Sequence, residues 1–568
     1  MMLEERKGKL GLALSGGGFR AAFFHIGVLT RMADMGLLRH VEVISTVSGG
    51  SIIGALYYLR LKNMLEEKQG SEIKDEDYQD MMETIQNEFL LAVQRNIRLR
   101  TFLNPLKNLR MCLPDYSRSD YIGELLEKFL FGPVNNCLNM KQLSIKSGVK
   151  NAKIPILMMN ATVLNSGHKW VFTVSGMGET KRDKSMLLVD GNFKLEKVKS
   201  YEDLCEGSRR CECDPKPKHG PCRHKFFRLG HAVAASASVP GVFVPLAISG
   251  LYDKGVRVQL VDGGVHDNQG IGTLLQEEPE CTHFIISDAS KQLENQKEPP
   301  THFPGVMGRS TSILADLVRE KQLSSHLSKH YRTTALMHLK RRLPIESIPI
   351  QKQDKQDCRI KGPYQAYGVN EEVQTLLSRI RTDLDSFSDA EAYSLMLDGY
   401  KMSGYEINRS KVKDFAAKHA IPKRDYRFFE IEEWLTSRNI DPYYKRLLEA
   451  ASKTLFKAFR INIFLKIAGF AIMAFLSIMF FIKLPPNVHV PKALLTLAIF
   501  FLFLLKAMYA DLLRAPAVRI MLKIAPAVFI AFTGGVLIGL YLITIDKLYL
   551  YLGSMKRLKR KAEKKEPL

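Results

Sequence analysis

Cysteine is scarce, with eight residues in a chain of 568, and that density excludes a disulfide scaffold. Acidic residues are scarce at one end. Residues 453–568 hold 18 Lys and Arg against 4 Asp and Glu, so most of the net charge of +23 sits in the last fifth of the chain. A secretory leader is lacking: glycines interrupt the short apolar run of MMLEERKGKLGLALSGGG, and no small-residue cleavage site follows. The N-terminal part is therefore expected to stay on the cytosolic side. No internal repeat is evident. Apolar residues make up 46%, which excludes disorder as the main theme and leaves room for about three to five domains.

The basic excess flanks long apolar runs rather than a soluble module, which points to a membrane and away from nucleic acid. Ile461–Ile482 has 22 residues with one interior charge, Lys466, and Ile524–Ile545 has 22 residues with none. Each is long enough to span about 33 Å as a helix. Ala493–Leu505 is uncharged for only 13 residues and is too short to span alone. Gly535 and Gly539 have the spacing that lets two membrane helices approach closely. The tail after Asp546 is rich in Lys and Arg and is expected to be cytoplasmic, which requires an even number of crossings. Two are favoured over three, with the middle segment interfacial or re-entrant. The expected organisation is a catalytic domain over 1–300 and a helical extension of it over 301–450. Transmembrane helices follow over 455–550 and a basic tail over 551–568.

Up to about residue 290, β-type runs alternate with helical ones, the signature of an α/β fold. The strands are expected at Lys9–Leu14, Val41–Val47, Ile154–Val163, Val256–Val261 and His283–Ser287. A capping box, Ser388-Asp389-Ala390-Glu391, marks one helix start farther on.

Four places carry the chemistry. Gly16-Gly17-Gly18-Phe19-Arg20 follows the first strand and opens a helical run, the form of an anion-binding turn. The spacing Gly16-x-Gly18-x-x-Ala21 also fits a dinucleotide site. That site needs an acidic residue at the end of the next strand, where Ser45-Thr46-Val47-Ser48 stands instead. A nucleotide P-loop is excluded because no Lys-Ser/Thr pair follows. Second, Ser48 with Gly49-Gly50 joins a β run to a helical one, the sequence form of a nucleophile elbow; a helix cap without chemistry has the same form. Third, Asp262-Gly263-Gly264 ends a β run, which suits either a site-facing carboxylate or a plain Asp-Gly turn. Fourth, Ala235-Ser236-Ala237-Ser238-Val239-Pro240-Gly241-Val242-Phe243 offers small residues for close packing and is given no direct chemistry.

Together, and in that order, these motifs resemble the patatin-like phospholipase family over roughly residues 8–290. The resemblance implies a three-layer α/β/α domain with a mostly parallel central sheet, here followed by an α-helical transmembrane region. It implies a lipid acyl hydrolase with a Ser–Asp dyad and no cofactor. Ser48 would be the nucleophile and Asp262 its base. Gly16, Gly17 and Gly18 would form the oxyanion hole, and Arg20 would support that loop. One departure is visible, since Thr46 stands where the family's elbow has its first Gly.

A His-containing triad is the rival mechanism, with His25, His231 or His266 as candidates. Cys205, Cys211, Cys213 and Cys222, with His219 and His224, have ligand types suited to zinc, but no Cys-x2-Cys pair exists and no metal is assigned. From Phe89 to Pro114 there is no acidic residue, while Arg95, Arg98, Arg100, Lys107 and Arg110 alternate with apolar ones. The expectation is a basic amphipathic helix, lying on an anionic membrane or packed on the core. The expected function is a membrane-anchored serine hydrolase acting on a phospholipid or other acyl-ester lipid at the cytosolic face. The alternative is a catalytically silent membrane scaffold or lipid-binding module on the same fold.

Overall fold

All five runs expected to be extended are strands, with ends within two residues of the expectation. The computed structural model describes residues 8–563 apart from 69–71, 114–115, 133–138, 149–150, 180–198, 202–223, 250, 253–255, 276–279, 292, 294, 342, 344–364, 455, 463, 466 and 468–534. In chain order the strands are β1 (Leu10–Leu14), β2 (Val41–Val47), β3 (Ile156–Val163), β4 (Lys169–Phe172) and β5 (Gly176–Glu179). They continue with β6 (Lys199–Ser200), β7 (Leu246–Ser249), β8 (Arg257–Asp262), β9 (His283–Asp288) and β10 (Thr334–His338).

These strands make one sheet in the order β10-β9-β1-β2-β3-β4-β5-β6, with β8 on β3 and β7 on β8. From β10 to β3 the pairing is parallel, and beyond β3 it is antiparallel. Parallel strands need helical crossovers that cover their faces, and β1, Leu-Gly-Leu-Ala-Leu, is accordingly apolar throughout with all five residues buried. β10 comes from the stretch expected to be helical. Its run Thr-Ala-Leu-Met-His has little β-branched character, and its place is set by pairing with β9 from Phe284 to Asp288.

The helices are α1 (Gly18–Asp34), α2 (Gly49–Glu67), α3 (Asp75–Val93), α4 (Arg118–Leu126), α5 (Leu229–Ser236) and α6 (Ile271–Leu274). After them come α7 (Phe303–His330), α8 (Glu371–Ser378), α9 (Asp389–Arg409), α10 (Pro442–Ala451), α11 (Lys547–Leu552) and α12 (Met555–Glu563). The main core lies between one sheet face and α1, α2, α3 and α9. α1 and α9 cross backbone to backbone: a Cβ on Gly27 would lie 1.8 Å from Met396 O, and one on Gly399 2.3 Å from Phe24 O. On the other face a smaller cluster joins Ala13, Val43, Phe284 and Ile286 to Ile271 and Leu274 of α6.

The basic stretch from Phe89 to Pro114 is not one helix. α3 ends at Val93, Asn96 takes a left-handed φ of 57°, and only short turns follow at Ile97–Arg100 and Pro105–Arg110. Asn96 breaks the run and caps the next turn through its side chain, and Pro105 has no N–H to continue one. Among the described residues one helix, Gly535–Leu552, is long and apolar enough to cross a membrane. Most of Ile461–Ile482, all of Ala493–Leu505 and Ile524–Gly534 lie outside the described residues, as do Cys205, Cys211, Cys213, Cys222 and His219. The chain on either side of the apolar region packs on the α/β domain, where Ile461, Tyr549, Leu552 and Leu558 are part of the main core.

Candidate active site

The register of β3 brings Ser48 and Asp262 to one place. Asn160 of β3 pairs with Val171 on one edge and with Val47 on the other. The next residue, Ala161, pairs with Trp170 on the first edge and with Asp262 on the second. β2 and β8 therefore occupy the same edge of β3 and meet end to end, one running parallel and one antiparallel. Ser48 directly follows β2 and Asp262 ends β8 at that junction, and both residues are buried.

Ser48 is a sharp turn from β2 into α2, with φ 51° and ψ −117°. For a residue with a Cβ this is a sparsely populated conformation, held in place by its surroundings. Two serines and a threonine hold it. Ser48 N–H donates to Ser236 Oγ at 3.0 Å, Ser236 Oγ donates to Asn160 O at 2.5 Å, and Ser51 Oγ shares a proton with Ser236 Oγ at 2.8 Å. Thr46 Oγ1 contacts Ser51 Oγ at 2.9 Å, and its methyl carbon fills the space over Gly54, where a Cβ would come within 2.6 Å of it. A β-branched residue fits this elbow because the facing helix position has no side chain.

Asp262 is set by the same fourth motif. Its N–H donates to Ser238 O at 2.9 Å, while Ser238 Oγ donates to Ala234 O at 2.6 Å. Asp262 Oδ1 accepts the Gly264 N–H at 2.7 Å. Oδ2 is buried with no partner at full hydrogen-bond geometry, although the Ser48 hydroxyl is close enough to favour the carboxylate. The two side chains thus lie near each other without a full hydrogen bond between them. Burial pushes the Asp262 pKa up to about 6, against the opposing effects of Ser48 and the Gly264 N–H.

The glycine loop faces the elbow at close range. A Cβ on Gly16 would lie 3.2 Å from Ser48 Cβ, and one on Gly49 would lie 2.0 Å from Gly18 O. Gly17 and Gly18 have φ of 137° and 59°, which L side chains rarely adopt. The three amides are not equivalent. Gly16 N–H donates to Asn268 O at 2.9 Å, whereas the Gly17 and Gly18 N–H groups have no partner among the described residues. Arg20 is buried and fastens the loop: its guanidinium donates to Ser378 O at 2.9 Å, Ile380 O at 2.8 Å and Ala289 O at 2.8 Å. Burial brings its pKa down to about 10, partly offset by Asp288, so it is still a cation at neutral pH. Phe19 N–H donates to Asp383 O at 3.0 Å, so residues 378–383 form the outer support of the loop.

The histidines stand apart from this arrangement. His25 is fully buried between Ser287 Oγ at 2.6 Å and Ser15 O at 2.9 Å, and burial lowers its pKa to about 4. His231 packs edge-on against Phe227, and His266 is exposed. Asp262 has neither as a hydrogen-bond partner. His224 contacts Ser249 O at 3.1 Å, and no cluster of three metal-ligating side chains occurs among the described residues. Sequence reasoning gave the Ala-Ser-Ala-Ser run no chemistry. Its two serines hold the backbone of Ser48 and of Asp262, a role that spacing could not disclose across 188 residues.

A cleft of about 400 Å3 borders this wall at Gly264 and Asn268 and continues under α7. A second cavity of about 1060 Å3, near Leu56, Phe131 and Tyr201, contains none of the site residues.

Residues 12–275 match the family model described as patatin-like phospholipase. No curated protein matches the sequence. Among solved structures, human GIVD cytosolic phospholipase A2 with methyl gamma-linolenyl fluorophosphonate and terbium chloride is similar at a TM-score of 0.39 and 14% identity, over 73% of this chain and 60% of that one. A further structure of human GIVD cytosolic phospholipase A2 gives 0.35 and 12%, over 72% and 62%. VipD from Legionella pneumophila gives 0.28 and 11%, over 81% and 85%. The chain thus spans about 60% of the first of these proteins.

Proposed function

Residues 12–275 being a patatin-like phospholipase domain, we propose that the chain is a membrane-anchored serine hydrolase that cleaves acyl esters of phospholipids or related lipids through Ser48 and Asp262. The observation that carries this reading is the end-to-end meeting of β2 and β8, which sets a strained serine beside a buried carboxylate.

A serine hydroxyl is a poor nucleophile without an adjacent base. In the proposed first step Asp262 accepts the Ser48 proton as Oγ bonds to the ester carbonyl carbon. The carbonyl oxygen becomes an oxyanion facing the Gly17 and Gly18 N–H groups, which have no competing protein acceptor. Collapse expels the lipid alcohol, which takes the proton from Asp262 and leaves an acyl group on Ser48. Water then gives its proton to Asp262, attacks the acyl carbon and releases the fatty acid. The proton returns to Ser48. A carboxylate with a pKa near 6 is a stronger base than one near 4 and is still ionised at neutral pH. Preorganised amides supply much of such a rate, each donor about 10²–10³-fold.

The anchor is proposed for Ile461–Ile545. Its support is the apolar Gly535–Leu552 helix, with Val536, Leu537, Leu540 and Ile543 exposed along it. An anchor keeps catalyst and insoluble ester on one surface and so raises their effective concentration. The deciding experiment is fluorophosphonate labelling and a lipid-panel hydrolysis assay on wild type and Ser48→Ala. Labelling and ester cleavage are expected in wild type and neither in the variant. A wild type that neither labels nor hydrolyses favours the silent scaffold, and retained turnover in Ser48→Ala overturns the nucleophile.

A further inference from the structure

α7 is built with two unlike faces. Over 28 residues it buries only His326. Gly305, Gly308, Ser312, Ala315 and Arg319 line the cleft that begins at Gly264 and Asn268, so this face is small or polar and looks toward the catalytic wall. The opposite face carries Phe303, Val306 and Met307, then Ile313, Leu314 and Leu317 two turns on. Phe303 is 77% exposed and Leu314 62%. Within each group the positions recur at three and four residues; Ser310 and Thr311 stand between the groups, which share one face over about 21 Å. An apolar stripe of that length facing water is not neutral decoration on a soluble surface.

The stripe does not stand alone. Val239, Val242 and Val244 are exposed on the turn that follows Ser238, and Val265 is exposed three residues after Asp262. Gln322 of α7 donates to His266 O, next to Val265. On the other side Ser119 Oγ donates to Val244 O at 2.6 Å, and the neighbouring Arg118 lies 3.9 Å over the Phe102 ring. Phe102 O in turn lies 3.4 Å from a Cβ built on Gly535, where the apolar helix begins. Exposed apolar residues therefore occur along the proposed anchor helix, on the turn after Ser238, beside Asp262 and on α7. Lys and Arg outnumber Asp and Glu five to two over residues 303–332, which suits an anionic surface.

We propose that α7 is an interfacial helix that lays its apolar stripe in an anionic bilayer, so that the cleft beneath it opens at the surface where the ester lies. The proposal deepens the lipid-hydrolase reading and rests on it for the substrate, though its first test needs no catalysis.

The full chain is reconstituted in phosphatidylcholine–phosphatidylglycerol vesicles with or without brominated acyl chains, carrying Leu314→Trp or, as control, Lys329→Trp. Trp170 and Trp434 are buried and supply a constant background. A side chain several ångströms below the headgroups is expected to lose about half its emission to bromine, and the control none. Equal emission from Leu314→Trp in both vesicles overturns the proposal, whichever protein surface covers the stripe. In a second arm, Leu314→Glu with Leu317→Glu is expected to slow hydrolysis of vesicle lipid about tenfold or more and to leave turnover of a dissolved short-chain ester unchanged. Equal loss on both substrates also overturns it. A wild type inactive on every ester would defeat the hydrolase reading, while the quenching result would still decide α7.

Discussion

In the proposed mechanism Asp262 acts as the base, and burial strengthens it and sets the expected pH signature. With the pKa pushed up to about 6, the acid limb of kcat/KM is expected near pH 6 rather than near 4, checked by a pH–rate profile on a dissolved ester. A limb at the ordinary carboxylate value would mean that Asp262 is not the group being titrated. The same shift affects stability with a definite sign. The folded pKa lies above the unfolded value of 3.8, so the fold loses stability as pH rises from about 4 to about 6. At 1.36 kcal/mol per unit the loss is about 3 kcal/mol in all. Asp262→Asn keeps an oxygen for the Gly264 N–H, so it is expected to abolish turnover without lowering the melting temperature at pH 7. Ser48 and Asp262 stood out as candidates in the sequence because each stands at the end of a β run beside glycines. The division of labour among Gly16, Gly17 and Gly18 was not: it depends on Asn268 O, 252 residues away, occupying one of the three amides.

At the scale of elements, the segment from Ser378 to Glu391 ties the glycine loop to the rest of the molecule. Arg381 is buried and bonds Asp385 at 2.7 Å, Glu391 at 2.5 Å, Ser386 O at 2.6 Å and Ala451 O at 2.8 Å. Those partners raise its pKa and lower that of Glu391 against burial, so both stay charged. Glu391 also accepts from Ser388 N–H and Oγ, so the capping box read from the sequence is doubled by an ion pair that the sequence did not announce. Removing one member of such a cluster leaves buried charges unpaired. Arg381→Ala is therefore expected to cost about 3–5 kcal/mol in chemical denaturation. A loss under 1 kcal/mol would mean that Asp385 and Glu391 find other partners. The same contrast separates legible from illegible elements more widely. α9 has a local start signal and is visible in the sequence, whereas β10 exists because β9 offers it an edge. The basic stretch after Phe89 has helical periodicity, but one left-handed asparagine breaks it.

For the whole molecule, the two ends of the apolar region meet. Lys457, where the chain departs, donates from Nζ to Asp385 Oδ2 at 2.9 Å and to Ser386 O at 2.8 Å. Asp546, where it returns, accepts from Ser386 Oγ at 2.5 Å and from Asn96 Nδ2 at 3.1 Å. Lys457 Nζ also sits 4.1 Å over the Tyr549 ring. Departure and return are thus fixed to one small segment, the same one whose carbonyls hold Arg20 and Phe19. Hydropathy left two and three crossings both open, since basic residues flank the middle run as well as the tail. Under the proposed anchoring, a chain that leaves and rejoins the same side of one domain crosses an even number of times, and the apolar lengths allow two. Tags at residues 1 and 568 of the membrane-embedded protein are accordingly expected to be cut together by added protease in vesicles of one orientation and protected together in the other. Opposite protection of the two tags would require an odd number of crossings. The contacts of α11 and α12 with the α/β domain would then have to break, exposing Tyr549, Leu552 and Leu558, which the fold now buries.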